Sequence, residues 1–293
     1  MDIARRSVLI GSVAAVASSV AACSSATRSV PQPTTAPSST QPSATPTASN
    51  LLELRSRTET VAKFEGQKPT YWGFYAPGVL TKFPTDGAGK DAVALTFDAC
   101  GGKVLRYNAD LIAALRKHEA KATLMIAMQW AQHNPKIFKE LLNDPLFEIG
   151  NHGTRHVPLS VTGRSAYGDP GTRNVGEVWD ELAGNFHYMA DTWGHRPRFM
   201  RAGTAYTDDV ASRAADFAGQ QLISFETNGD AGATFPADVV YQQVKAAPAG
   251  AIVIGHMNRP QSGTAPGYDR AIPALKARGL KFVQLSEVLP AAT

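Results

Sequence analysis

The chain has almost no cysteine. Its 293 residues include only Cys23 and Cys100, which excludes a disulfide-stapled scaffold and leaves stability to a packed core. Charge is sparse too, at 18% of residues with a net charge of +4. No Lys/Arg run and no basic stripe with interleaved aromatics occurs, so nucleic acid is not expected as a partner. A Gly-rich phosphate loop and a dinucleotide fingerprint are both missing after the apolar runs, which weakens a doubly wound open sheet as the fold. Apolar residues, at 43%, are plentiful enough for a sizeable core.

Residues 1–22 are laid out as a signal peptide. Arg5 and Arg6 form a positive start, Ser7 to Ala22 is an uncharged, mostly apolar run, and small residues precede Cys23. The run is short for a membrane-spanning helix. Val20-Ala21-Ala22-Cys23 resembles a bacterial lipobox, in which the cysteine carries lipid and becomes the new N-terminus. The alternative is ordinary cleavage nearby, with Cys23 a bystander. Arg5-Arg6-Ser7-Val8-Leu9 is also similar to a twin-arginine signal, so the export route stays open. The expectation is an exported protein, lipid-anchored at the extracytoplasmic face of the cell membrane. Ser24 to Asn50 is nearly all Ser, Thr, Pro, Ala and Gln. Such a stretch cannot bury apolar surface and reads as a disordered tether from Cys23. Extended in the polyproline manner, it reaches roughly 80 Å.

Residues 51–90 read as an irregular leader that packs on the domain through Tyr71-Trp72-Gly73-Phe74-Tyr75. From Asp91 to Thr293, short apolar runs alternate with segments of helical period, which predicts an α/β domain with a parallel sheet. The predicted strands are Ala92–Phe97, Ala122–Ala127, Leu146–Gly150, Arg198–Arg201, Leu222–Phe225, Ala251–Gly255 and Lys281–Leu285. Val175, Val178, Leu182, Phe186 and Met189 repeat at three and four, giving one buried helical stripe. Asn134-Pro135 and Thr207-Asp208-Asp209 read as helix starts. About seven such repeats predict a distorted (β/α) barrel, short of the eight-stranded kind. A doubly wound open sheet is the alternative.

The polar residues of interest fall where strands end. Asp98 closes the first, His152 follows the third, Arg201 ends the fourth, Asp230 trails the fifth and His256 follows the sixth. Strand C-terminal ends face the ligand in barrels and open α/β sheets alike. His152 and His156 are four apart; on a helical turn they would share a face and could bind one divalent metal. Such a pair can equally be a surface pair, Asp98 a turn-capping carboxylate, His256 a core histidine, and Arg201 with Asp230 a buried ion pair.

Together these residues resemble the polysaccharide deacetylases, the family-four carbohydrate esterases. Ala94-Leu95-Thr96-Phe97-Asp98 is similar to the first motif of that family, Glu148-Ile149-Gly150-Asn151-His152 through His156 to the second, and Ile252-Val253-Ile254-Gly255-His256 to the fifth. Phe199 to Thr204 and Asn228-Gly229-Asp230 are looser versions of the third and fourth. The resemblance implies Asp98 as catalytic base, His256 as general acid and His152 with His156 as metal ligands. It further implies that Arg201 positions Asp98, that Asp230 keeps His256 basic, and that Thr204 offers an oxyanion-hole amide. The family usually carries its third ligand, a second Asp, where this chain has Ala99; Gly153 also replaces the usual Ser or Thr. Cys100 is close by and soft enough for zinc, but is not counted among the ligands. The implied activity is removal of acetyl groups, N-acetyl in particular, from a cell-wall or extracellular polysaccharide, with zinc as the expected metal. The alternatives are a non-catalytic glycan-binding lipoprotein and a carbohydrate O-acetyl esterase.

Overall fold

The structure, a computed structural model, describes residues 52–290. The expected signal segment, Cys23 and the tether lie outside the described residues. Within the stretch expected to be an irregular leader, a helix forms. Ser56 accepts a hydrogen bond from the Glu59 N–H while the Glu59 side chain accepts from the Ser56 N–H, a capping box that starts α1 (Arg57–Phe64). The short strand β1 (Trp72–Gly73) follows.

Strand and helix then alternate as the apolar rhythm predicts. The first half comprises β2 (Ala92–Ala99), α2 (Ala109–Lys117), β3 (Ala122–Ile126), α3 (Met128–His133), α4 (Pro135–Leu142), β4 (Phe147–Asn151) and α5 (Val175–Trp193). Next come β5 (Phe199–Met200), β6 (Thr207–Asp208), α6 (Asp209–Ala218), β7 (Gln221–Leu222) and β8 (Thr227–Asn228). The chain continues through α7 (Ala237–Lys245), β9 (Ile252–His256), α8 (Thr264–Ala277), β10 (Lys281–Phe282) and α9 (Leu285–Val288). All five residues of the predicted stripe on α5 are buried; Asn174 caps its start, and Gly194 ends it with a left-handed turn. Asp208 caps α6 by accepting from the Ala211 N–H.

The main sheet is parallel throughout, in the order β7-β5-β4-β3-β2-β9-β8, with β10 added beside the start of β2. This is the distorted barrel of about seven parallel strands, curled rather than closed: β7 and β8, at its ends, do not pair with each other. The leader lies in that break. Leu80 bridges Ile223, and Lys82 bridges Ala251. The Leu80 N–H donates to the Leu222 carbonyl at 2.9 Å, and its carbonyl accepts from the Ser224 N–H at 2.7 Å. On the other side, the Ile252 N–H donates to the Thr81 carbonyl at 3.2 Å. β7 stops short of the predicted Leu222–Phe225 because the Ser224 N–H is spent on the leader instead of on a longer ladder.

Alternation along β2 divides the core. Val93, Leu95, Phe97 and Ala99 join the outer cluster with residues of α2 and α8. Ala92 and Ala94 face inward with Phe83, Met125, Phe199, Ile252 and Leu285. A doubly wound sheet covers both faces with long helices, whereas here the concave face packs on opposing strands, the leader and the short α9. Phe83 is the leader's largest contribution to that interior, at 4% exposed. Phe83→Ala is therefore expected to lower unfolding stability by about 3 kcal/mol, read from denaturant midpoints. Tyr167→Ala, at an exposed ring, should shift stability by no more than about 0.5 kcal/mol.

Candidate active site

Inward alternation on β2 continues past the apolar residues to Thr96 and Asp98, both buried. Arg201, directly after β5, reaches across to them and is fully buried. Its Nη1 donates to Asp98 Oδ1 at 2.6 Å, and its Nη2 to Thr96 Oγ1 at 2.8 Å and the Ser224 carbonyl at 2.9 Å. Asp98 Oδ2 is left facing His152 Nε2 at 3.5 Å and His256 Nε2 at 4.0 Å. The register sets this directly, since Asp98 pairs across the ladder with His256.

His152 follows β4 and is buried. Its Nδ1 lies 2.9 Å from the Arg201 carbonyl, an acceptor only, so Nδ1 carries the hydrogen and Nε2 turns its lone pair toward the cluster. That tautomer suits a metal ligand. The rings of His152 and His156 are 4.7 Å apart between centroids. The pair is not on a helical turn, as the spacing suggested: residues 152–157 form a loop. Gly153 has φ 85° and His156 φ 63°, a bend that a helix does not allow. Glu181, on the buried face of α5, holds that bend. Its carboxylate accepts from the backbone N–H groups of Arg155, His156 and Val157 at 2.8 to 3.3 Å. A Cβ on Gly153 would strike Glu181, which explains the departure at that position. Gly203 must likewise lack a side chain, because the His156 backbone packs against it. Thr204, next to Gly203, has φ 65° and a buried hydroxyl without a partner, strain of the kind that gathers at working sites.

His256 closes β9. Its Nδ1 meets Asp230 Oδ1 at 2.8 Å, while Asp230 Oδ2 accepts from the His256 N–H and from Thr264 Oγ1, both at 2.8 Å. Burial disfavours the imidazolium, but the Asp230 carboxylate outweighs it, with help from Cys100, and holds His256 well above its ordinary pKa. Burial likewise opposes charge on Asp98, and is overcome by Arg201 first, then His152 and His256, so that this carboxyl stays below its usual range. One cluster at the strand ends thus holds a carboxyl pushed toward its ionised form and an imidazole pushed toward its protonated form.

Asp98, His152, His156, Arg201, Asp230 and His256 meet here as the strand-end positions foretold, and Thr204 lies beside them. Sequence reasoning missed Glu181 and set Cys100 aside. A lone Glu on the apolar face of α5 and a Cys two residues after Asp98 were the available signals. Cys100 Sγ is 3.8 Å from His152 Nε2, and the donor atoms of Cys100, His152 and His156 all lie within 4.8 Å of one another. Ala99 points the other way, into the outer apolar cluster.

A curled parallel sheet with such a cluster at its strand ends is the arrangement that the resemblance implied. The profile of the polysaccharide deacetylase family matches residues 85–223 of this chain. Two peptidoglycan-N-acetylglucosamine deacetylases of Bacillus cereus are 29% and 26% identical to it. The first alignment covers 67% of this chain and 87% of the relative, the second 67% of each. Among solved structures, a family-four carbohydrate esterase pseudoenzyme from Bacillus anthracis superposes with a TM-score of 0.61 at 23% identity, over 74% of this chain and 70% of the other. A mutant of such a pseudoenzyme with restored enzymatic activity gives 0.60 at 25%, over 74% and 72%. Asp230 and His256 lie beyond the profile match.

Asp230→Asn should lower the His256 titration midpoint toward the ordinary imidazole value, measured by NMR. In the native protein, the raised His256 adds stability that is complete below about pH 6.5 and fades as pH rises through the folded value. The variant should lose that added stability.

Proposed function

We propose that this protein is a metal-dependent hydrolase that removes N-acetyl groups from a cell-wall polysaccharide, with peptidoglycan the leading substrate. The observation that carries the reading is the opposed pair at the strand ends: Asp98, held ionised by Arg201, and His256, held protonated by Asp230, with Asp98 Oδ2 facing both His256 Nε2 and His152 Nε2. Two titratable groups driven apart by their surroundings are what acid–base chemistry needs. The donor chemistry of the imidazole pair fits a divalent cation, with zinc the natural guest of such nitrogen ligands. A cation held there supplies positive charge that polarises the acetyl carbonyl and acidifies water.

The chain's own residues perform the remaining steps. Asp98 Oδ2, free of Arg201, accepts the proton of the attacking water. Arg201 pins Oδ1 and so fixes the direction in which Oδ2 points. The Thr204 N–H lends a hydrogen bond to the oxyanion. His256 then donates from Nε2 to the departing sugar amine, and Asp230 at Nδ1 keeps the ring charged until it does. The names of the Bacillus cereus relatives support an N-acetylglucosamine-bearing glycan. Export with a lipid on Cys23, and a tether reaching past the membrane surface, would suit such a wall polymer.

A second reading, a glycan-binding lipoprotein without hydrolysis, draws on the likeness to the pseudoenzyme and on Ala99. An O-acetyl esterase differs only in its leaving group. Acetate release from peptidoglycan, chitooligosaccharide and acetylxylan, with and without zinc, separates the three. Metal-dependent release from the N-acetylated glycans is expected. Asp98→Asn should cut it about 10²- to 10⁴-fold with the circular dichroism unchanged. Acetate from acetylxylan alone would favour the esterase, and none from any substrate the binding protein.

A further inference from the structure

Resting on the proposed metal-dependent reading, we infer that Cys100 is the third protein ligand of the metal centre, its sulfur standing in for the carboxylate missing at position 99. The two residues exchange roles because of strand geometry. Side chains alternate along β2, so Thr96 and Asp98 point into the cleft while Phe97 and Ala99 point into the outer apolar cluster. Position 100 is the next to return inward. Ala99 packs in the outer apolar cluster, whereas the thiol at 100 faces the imidazoles.

The dimensions agree. In a tetrahedral zinc site, sulfur and nitrogen ligands sit about 3.5 Å apart, from bonds of about 2.3 and 2.0 Å. Cys100 Sγ and His152 Nε2 are 3.8 Å apart, and the His156 ring nitrogen falls within 4.8 Å of both. Small side-chain rotations close the remainder. The second shell is also built. His152 is aligned by the Arg201 carbonyl, and the His156 backbone is clamped by Glu181. Gly102, just after Cys100, donates its N–H to Gln129 Oε1 at 2.6 Å, fixing the turn that carries the thiol. Asp98 is the competing donor, but one of its oxygens belongs to Arg201, and the sulfur leaves the other free to act as base. A two-imidazole, one-thiolate centre prefers zinc or cobalt to the hard ions that oxygen ligands favour.

Cobalt(II) added to the metal-stripped full chain carrying Cys23→Ser, whose only thiol is then Cys100, tests this directly. The result expected is a thiolate-to-cobalt charge-transfer band in the near ultraviolet, retained in Asp98→Asn and lost in Cys100→Ser. Zinc affinity should fall roughly 100-fold or more in Cys100→Ser, since even outer-shell losses cost 10- to 100-fold. Zinc should also shield the Cys100 thiol of the Cys23→Ser chain from a disulfide reagent, a measurement that needs no further variant. Cobalt bound without a sulfur band, or a thiol equally reactive with and without zinc, overturns the assignment while leaving a metal centre. Failure of the chain to bind cobalt or zinc at all overturns the metal-dependent function itself.

Discussion

A guanidinium without access to solvent sits inside the curled sheet, and the site is arranged around it. Arg201 joins the end of β5 to Asp98 and Thr96 on β2 and to the Ser224 carbonyl beyond β7, while its own carbonyl receives His152. Burying that charge is costly, and removing its partner would leave it stranded. The return is geometric. One residue holds a carboxylate ionised and fixes which oxygen stays free through its guanidinium, and selects the tautomer of a neighbouring imidazole through its carbonyl. A second buried pair, Asp230 with His256, does the opposite work across the cleft by keeping a proton in place.

These two pairs bear on the choice between enzyme and binding protein. A site retained only to grip sugar has no need of a carboxylate and an imidazolium held in opposite protonation states some 4.0 Å apart. The likeness to a pseudoenzyme concerns the fold, at 23% identity, and the missing carboxylate at Ala99 has a candidate substitute one residue further on.

Much of the domain was legible beforehand. The strand–helix rhythm, the stripe from Val175 to Met189, the capping Asp208 and the polar residues after strands all follow from local periodicity and capping chemistry, which act over a few residues. The leader was only half legible. Its aromatic cluster signalled packing and its helix starts at a local capping box, but its insertion between β7 and β9 depends on backbone groups more than a hundred residues away. The His152–His156 spacing misled for a similar reason: a separation of four suggests a helix, and only Glu181 on a distant helix holds the loop that forms instead.

By itself the sequence determined which side chains stand at strand ends and what chemistry each can supply, because strand length and alternation are local properties. Only the tertiary structure decided which of them share a cleft, and that Cys100 rather than position 99 faces the imidazoles. The face a strand residue occupies gains meaning once the sheet curls and makes one side its interior.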